Sequence, residues 1–367
     1  MAGQETSLLG VSQMQSYQYD FDCDTIKKIN IRALGYFRNT EFFHPMEKGR
    51  TLLGTQLIGF WKSDLKSQQH LEVGAVFHQV FGGPNRIFPH ITLVKFIGHY
   101  SLDRQIRFGS LSNPGHNLPE PFYNPGNRYL NPTEYGFQYI STETDIWMNW
   151  DQSISYGSPF KESFVAGINH WLISHKLHLL PHKMRKENKN TFFDFRAKIY
   201  GMYRHIGGQI DIDESGIVGN RINAGFQVSV NPEISMRIGQ KRILLKVPEY
   251  KYSFMQYHDP MKKFFDINMG SGHLHSFSKT WNKLGVYVKL WRGKDWLAPF
   301  AQGIYQSYNP EDIAVSYQEM SRFFILSSNW AGSLFGSNNY SVGYDAYYDR
   351  GLKRWNTAFT FNFLVKM

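Results

Sequence analysis

The C-terminal run constrains the fold most tightly. From Trp355 the odd positions read Trp355, Thr357, Phe359, Phe361, Phe363, Val365 and Met367, and the even positions Asn356, Ala358, Thr360, Asn362, Leu364 and Lys366. Period two is the signature of a β-strand, whose successive side chains face opposite sides. Here one face is oily and aromatic and the other mostly small or polar. The same alternation recurs from Phe193 to Arg204, Arg221 to Val230, Leu284 to Trp291 and Tyr340 to Asp349. These runs are about 9–13 residues long. A tilted strand needs about 9–11 to cross a bilayer, whereas soluble strands are nearer 5–6.

Composition agrees. Aromatic residues make up 16% of the chain, more than a soluble core readily holds, and no segment approaches the ~18 apolar residues of a spanning helix. A mean hydropathy of −0.42 does not exclude a membrane protein, because only alternate residues of each strand would meet lipid. The single cysteine, Cys23, rules out an internal disulfide. No repeat near ~40–50 residues is present, which argues against a soluble propeller.

Strands are expected near 28–38, 51–62, 70–81, 88–99, 104–112, 134–141, 145–153 and 163–174, with register less certain past residue 205. Connections after the odd strands (39–50, 82–87, 113–133, 154–162) are longer on average than those after the even strands. That asymmetry matches short periplasmic turns and longer outer loops. The expected fold is all-β: a transmembrane antiparallel up-and-down barrel of about 14–16 strands in the outer membrane. Residues 1–26 form a polar periplasmic tail and 27–367 a single barrel domain. The opening Met1–Gln18 shows no secretory leader pattern, so the chain is expected to begin near a mature N-terminus.

Residues 109–175 carry Gly115-His116-Asn117-Leu118-Pro119-Glu120-Pro121-Phe122-Tyr123, Glu134-Tyr135-Gly136-Phe137-Gln138-Tyr139, Asp145-Ile146-Trp147-Met148-Asn149-Trp150 and Ser158-Pro159-Phe160-Lys161-Glu162-Ser163-Phe164. This stretch resembles porin-like outer-membrane barrels of Bacteroidota, a family without a defined substrate. The resemblance implies fold and compartment, and no catalytic residues.

The net charge is +10. Arg196, Lys198, Arg204, Arg221, Arg237, Lys241 and Lys289 fall on the expected lumen face. A ring of cations in a pore raises local anion concentration, so one expectation is a channel for small anionic or sugar-like solutes. The alternative is that these charges pair with acids such as Asp194, Glu72 and Asp345 and fill a closed lumen. Inward aromatics Tyr200, Tyr287, Trp291 and Tyr347 favour that crowding. Such a barrel would be a structural or accessory subunit of an outer-membrane complex, or a surface-glycan binder.

The proline-rich 113–133 segment cannot be a ladder strand. It is expected to fold into the lumen as a plug or constriction, with His116, Asn117, Glu120 and Tyr123 as its polar contacts, or else to cap the rim. His273 and His275 share one strand face, but no further metal ligand is evident. Asp211-Ile212-Asp213-Glu214-Ser215-Gly216 is similar to half of a calcium loop and reads as a solvated turn. Soluble-enzyme signatures are absent, and a non-enzymatic role is expected. The third hypothesis is a hydrolase using Ser and His on the outer wall, for which Ser174 with His170 is no more than a chance pairing. Neither cofactor nor metal is expected. The expected partners are bilayer lipid, lipopolysaccharide and other outer-membrane proteins, not nucleic acid.

Overall fold

The alternating runs become strands and pair in chain order. The computed structural model describes residues 29–65, 68–97, 104–111, 115–152, 161–178, 190–207, 219–238, 241–260, 267–308, 317–334 and 338–366. The strands are β1 (Ile29–His44), β2 (Glu47–Leu65), β3 (Gln69–Val80), β4 (Asn85–Phe96), β5 (Gln105–Ser110), β6 (Tyr135–Ile140), β7 (Thr144–Gln152), β8 (Glu162–His178) and β9 (Asn190–Gly207). They continue as β10 (Gly219–Ile238), β11 (Lys241–Lys246), β12 (Glu249–His258), β13 (Met269–Trp281), β14 (Leu284–Lys294), β15 (Met320–Leu334), β16 (Asn338–Asp349) and β17 (Arg354–Lys366).

β11 and β12 both pair with β10, and the register slips by one residue at Val247-Pro248, where proline supplies no ladder donor. They form one wall strand with a bulge, which makes a 16-strand barrel. β17 closes it on β1, from Arg32↔Lys366 to Glu41↔Thr357, so no edge is left open. Past residue 205 the stretch 247–282 holds β12 and β13. The calcium-loop-like segment, Cys23 and the 1–26 tail lie outside the described residues.

Burial is inverted relative to a soluble protein. Phe108 is 67% exposed while its neighbour Arg107 is 2% exposed. Ile91, Leu57, Trp330 and Trp355 also face outward, while Glu72, His90 and Gln56 are fully buried. In water such a belt would be a very large apolar patch. In a bilayer it is matched by lipid, and the polar lining is what a barrel interior requires. The protein is an outer-membrane barrel.

The start of β1, the end of β17 and the turns 141–143 and 282–283 lie at one end of the wall. The described parts of two long connections, 115–134 and 295–308, lie at the other. By the loop rule the end with the short turns corresponds to the periplasmic side and the opposite rim to the outside.

Candidate functional site: a filled lumen and a polar outer wall

Two segments from the outer rim fold into the lumen. The first follows β5 and contains a short 3-10 turn, η1 (Pro125–Tyr129), capped by the Asn124 side chain accepting from Gly126 N. The second follows β14 and contains η2 (Gly303–Tyr305). They interlock: Asn124 N donates to Phe300 O, Trp296 Nε1 donates to Pro121 O at 3.1 Å, and the Phe122 and Trp296 rings pack 5.4 Å apart. Phe122, Trp296, Leu297, Ile304 and Tyr305 join Tyr200, Trp291 and Tyr347 from the wall in one buried cluster. All four aromatics read as inward-facing are buried, with Tyr287 as the fourth.

The tip of the first segment is conformationally unusual. Gly115, His116 and Asn117 all have left-handed backbone, with φ of 101°, 48° and 54°. Glycine accepts this freely; a histidine adopts it only where its surroundings over-determine it. His116 is held on three sides. It lies 2.8 Å from Glu134 Oε2 and 3.0 Å from Asp145 Oδ2, and its ring stacks on Trp147 at 3.8 Å. Tyr123 Oη donates to Glu134 at 3.1 Å. Asn117 acts through its carbonyl, which accepts from Lys198 Nζ at 2.8 Å. Glu120 accepts from Lys289 Nζ at 2.6 Å and Tyr347 Oη at 3.1 Å.

Burial alone would depress the His116 pKa, but the Asp145 and Glu134 carboxylates overcome it and raise it to about 9. This exceeds the ordinary 6.5 of the unfolded chain. The stabilisation is therefore complete below about pH 6.5 and is lost as pH rises through about 9. We expect urea unfolding in micelles to show stability falling across pH 7–9 by roughly 2 kcal/mol. His116→Gln should flatten that slope; an equally steep slope in the variant refutes the assignment.

The predicted lumen cations sit against partners. Arg196 pairs with Asp194, Arg204 faces Asp151, Arg221 faces Asp259 and Tyr257, and Lys289 is bound to Glu120. Lys198 holds the Asn117 carbonyl. Arg237 and Lys241 lie in β10 and β11, their side chains outside the described set. Under the first segment, Arg38, Arg128, Glu120 and Asp345 line a small polar chamber.

On the β3–β5 wall, Glu72 accepts from His70 Nε2 at 2.9 Å, His90 Nε2 at 3.0 Å and Arg107 Nη2 at 2.9 Å. Deleting one member of a buried ion cluster strands the others' charge. Glu72→Ala should cost about 3–5 kcal/mol in urea unfolding, and Glu72→Ala/Arg107→Met should recover part of it. A loss below about 1 kcal/mol would mean that water, not Glu72, solvates Arg107. Among the described residues no group of three or more His, Cys, Asp or Glu has the arrangement of a metal site.

The outer wall carries polar groups where a membrane barrel should have few. On β13, Ser271, His273 and His275 alternate with inward Gly272 and Leu274. His273 Nδ1 is 2.9 Å from Tyr252 Oη, and His275 Nδ1 is 2.9 Å from Tyr250 Oη, both tyrosines on β12. Arg292 on β14 stands opposite His273 in register, and Lys294 opposite Ser271. Lys294 ends β14, so Ser271 and His273 lie near the outer rim. A second outward group joins His205 Nδ1 to Asn220 Oδ1 at 2.7 Å, with Tyr203 Oη donating to the same oxygen at 2.8 Å. His170 meets Thr144 Oγ1 at 2.8 Å. Alternation placed His273 and His275 on one face, but neither Ser271 nor Arg292 was read with them.

Fold and site together define an outer-membrane β-barrel with an occupied lumen and a polar stripe on its lipid-facing wall. The model of the lipid A 3'-O-deacylase-type family matches residues 24–367, and the chain belongs to that family. This corrects the expectation of a non-enzymatic barrel. The enzyme signatures sought there are contiguous motifs of turns and helices. A barrel wall instead assembles a site from neighbouring strands, so its residues lie far apart in sequence. Solved structures similar to this chain include the loop-L8 deletion mutant of OmpT from Vibrio cholerae, at 9% identity over 92% of this chain and 99% of that one, TM-score 0.47. OprD from Pseudomonas aeruginosa is similar at 9% identity over 93% and 95%, TM-score 0.44. A BenF-like porin from Pseudomonas fluorescens Pf-5 is similar at 8% identity over 93% and 98%, TM-score 0.47. No curated protein matches.

Proposed function

We propose that the protein hydrolyses ester-linked acyl chains of a lipid A-type glycolipid, on the lipid-facing wall of β12–β14. The observation that carries this reading is Ser271 two residues from His273 on one outward face, with Arg292 beside them at the rim. Ser271 Oγ attacks the ester carbonyl while His273 Nε2 takes its proton. Tyr252 Oη accepts from His273 Nδ1–H and fixes the tautomer that leaves Nε2 basic. Arg292 offsets negative charge on the carbonyl oxygen. His273 then protonates the leaving sugar hydroxyl, and water, activated by the same imidazole, releases the fatty acid from Ser271. The reading draws support from the family and from the site's place at the height of outer-leaflet headgroups.

The test is fatty-acid release from a lipid A-type glycolipid by purified, heat-modifiable protein in micelles. Folded protein that releases none ends the proposal. Passage of small anionic or sugar-like solutes is a second reading, favoured by the chamber lined by Arg38 and Arg128. The bacterial group indicated by residues 109–175 and contact with lipopolysaccharide belong to the same proposal.

A further inference from the structure

We propose that the outer rim of β13–β17 is a docking surface for the phosphorylated headgroup of an outer-leaflet glycolipid. It rests on the same external rim as the hydrolase reading and names how a lipid would be held there.

Cations line up across adjacent strands. Arg292 pairs in register with Arg322, and the Arg350 backbone N–H donates to Arg322 O at 2.9 Å, which places Arg350 third in the row. Lys353 follows on the β16–β17 turn. All four are exposed. Among the described residues none of them forms an ion pair; the nearby Glu319 is 3.3 Å from Lys294 and Asp349 points inward to His44. Like charges directly opposite on neighbouring strands destabilise a sheet. A row of them persists at little cost where an anion bridges them. With strands ~4.8 Å apart the three arginines span roughly 10 Å, wider than one phosphate.

The turn is pre-set for an occupant. Asp349 Oδ1 accepts from Gly351 N at 2.7 Å and Leu352 N at 3.1 Å, and its other oxygen lies 3.0 Å from His44 Nε2. This fixes the loop carrying Arg350 and Lys353. Directly below the cations the wall is apolar. Trp355 packs on Tyr348 with ring centroids 5.1 Å apart, and Leu290 is 43% exposed. Cations above an oily, aromatic surface suit an anionic headgroup with acyl chains attached, and suit neither a free ion nor a nucleic acid.

Native mass spectrometry of the full-length protein in micelles tests this, with a bisphosphorylated glycolipid, its dephosphorylated form and inorganic phosphate as probes. Arg292→Gln/Arg322→Gln/Arg350→Gln should weaken retention of the bisphosphorylated lipid roughly a hundredfold. The corresponding triple lysine variant should keep most of it. Dephosphorylated lipid should bind the unmodified protein as poorly as the glutamine variant binds the phosphorylated one, and millimolar phosphate should not displace lipid. Unchanged retention in a heat-modifiable glutamine variant overturns the proposal, as does equal binding of dephosphorylated lipid or full displacement by phosphate. Binding is read without turnover. A protein that holds the lipid yet releases no fatty acid sinks the hydrolase reading alone. One that releases fatty acid while the glutamine variant binds normally sinks the docking surface alone.

Discussion

Ser271→Ala is expected to lower fatty-acid release by about a thousandfold or more, with His273→Ala close behind and the double variant little worse than either. Nucleophile and base act as a unit, so their losses do not add. The outward position of both side chains makes the prediction clean. Ser271 lies on the lipid face between Gln256 and Lys294, on the opposite side of the wall from the inward Gly272 and Leu274, so truncation should leave the heat-induced gel shift intact. Tyr252→Phe removes only the group that orients the imidazole and should cost less, with the pH profile of kcat displaced. His205→Ala is the informative control. If it abolishes release while Ser271→Ala does not, the chemistry belongs to the β9–β10 wall, where Asn220 orients His205, and the β13 assignment is wrong.

Removing the two inward segments is expected to turn a nearly silent barrel into a conducting one. A barrel of 16 strands is wide enough for an aqueous channel unless something occupies it. Here residues 115–132 and 296–306 supply the filling: Phe122, Trp296, Ile304 and Tyr305 are each 0% exposed. Replacing both segments with short Gly-Ser linkers should raise planar-bilayer conductance at least tenfold. Either deletion alone should do less, because each segment packs on the other through Asn124–Phe300 and Pro121–Trp296. Lys198 and Lys289 lose the Asn117 carbonyl and Glu120, but entering water rehydrates them, and the opened pore should prefer anions. Continued silence from a well-folded double deletion would show that the wall itself closes the lumen. High conductance of the intact protein would show that the segments do not seal it.

Much of the barrel was legible in the chain because a membrane strand must obey two rules at once. It alternates, and it is long. The expected strands near 70–81 and 145–153 and those observed at Gln69–Val80 and Thr144–Gln152 differ by a residue at each end. The inward set Tyr200, Tyr287, Trp291 and Tyr347 followed from parity alone. The second inward segment was overlooked, although Trp296-Leu297-Ala298-Pro299-Phe300-Ala301 is an apolar, proline-broken stretch where an outer loop should be polar. Such a stretch has nowhere to go except inward. The enzyme family was not legible because the chain carries no contiguous enzyme motif; the residues proposed for its site, Ser271, Tyr252 and Arg292, come from three strands.

Local pattern therefore determined strand, face, closure and compartment, since a period-two chain in lipid has few other ways to satisfy its backbone. Which charges meet was decided only when the sheet closed. Closure brings Lys289 to Glu120, Arg107 to Glu72 and Arg292 to Arg322 at distances that sequence separation does not encode. Electrostatic energy depends on those distances and on burial, so pairing, plugging and the polar outer stripe are properties of the closed barrel.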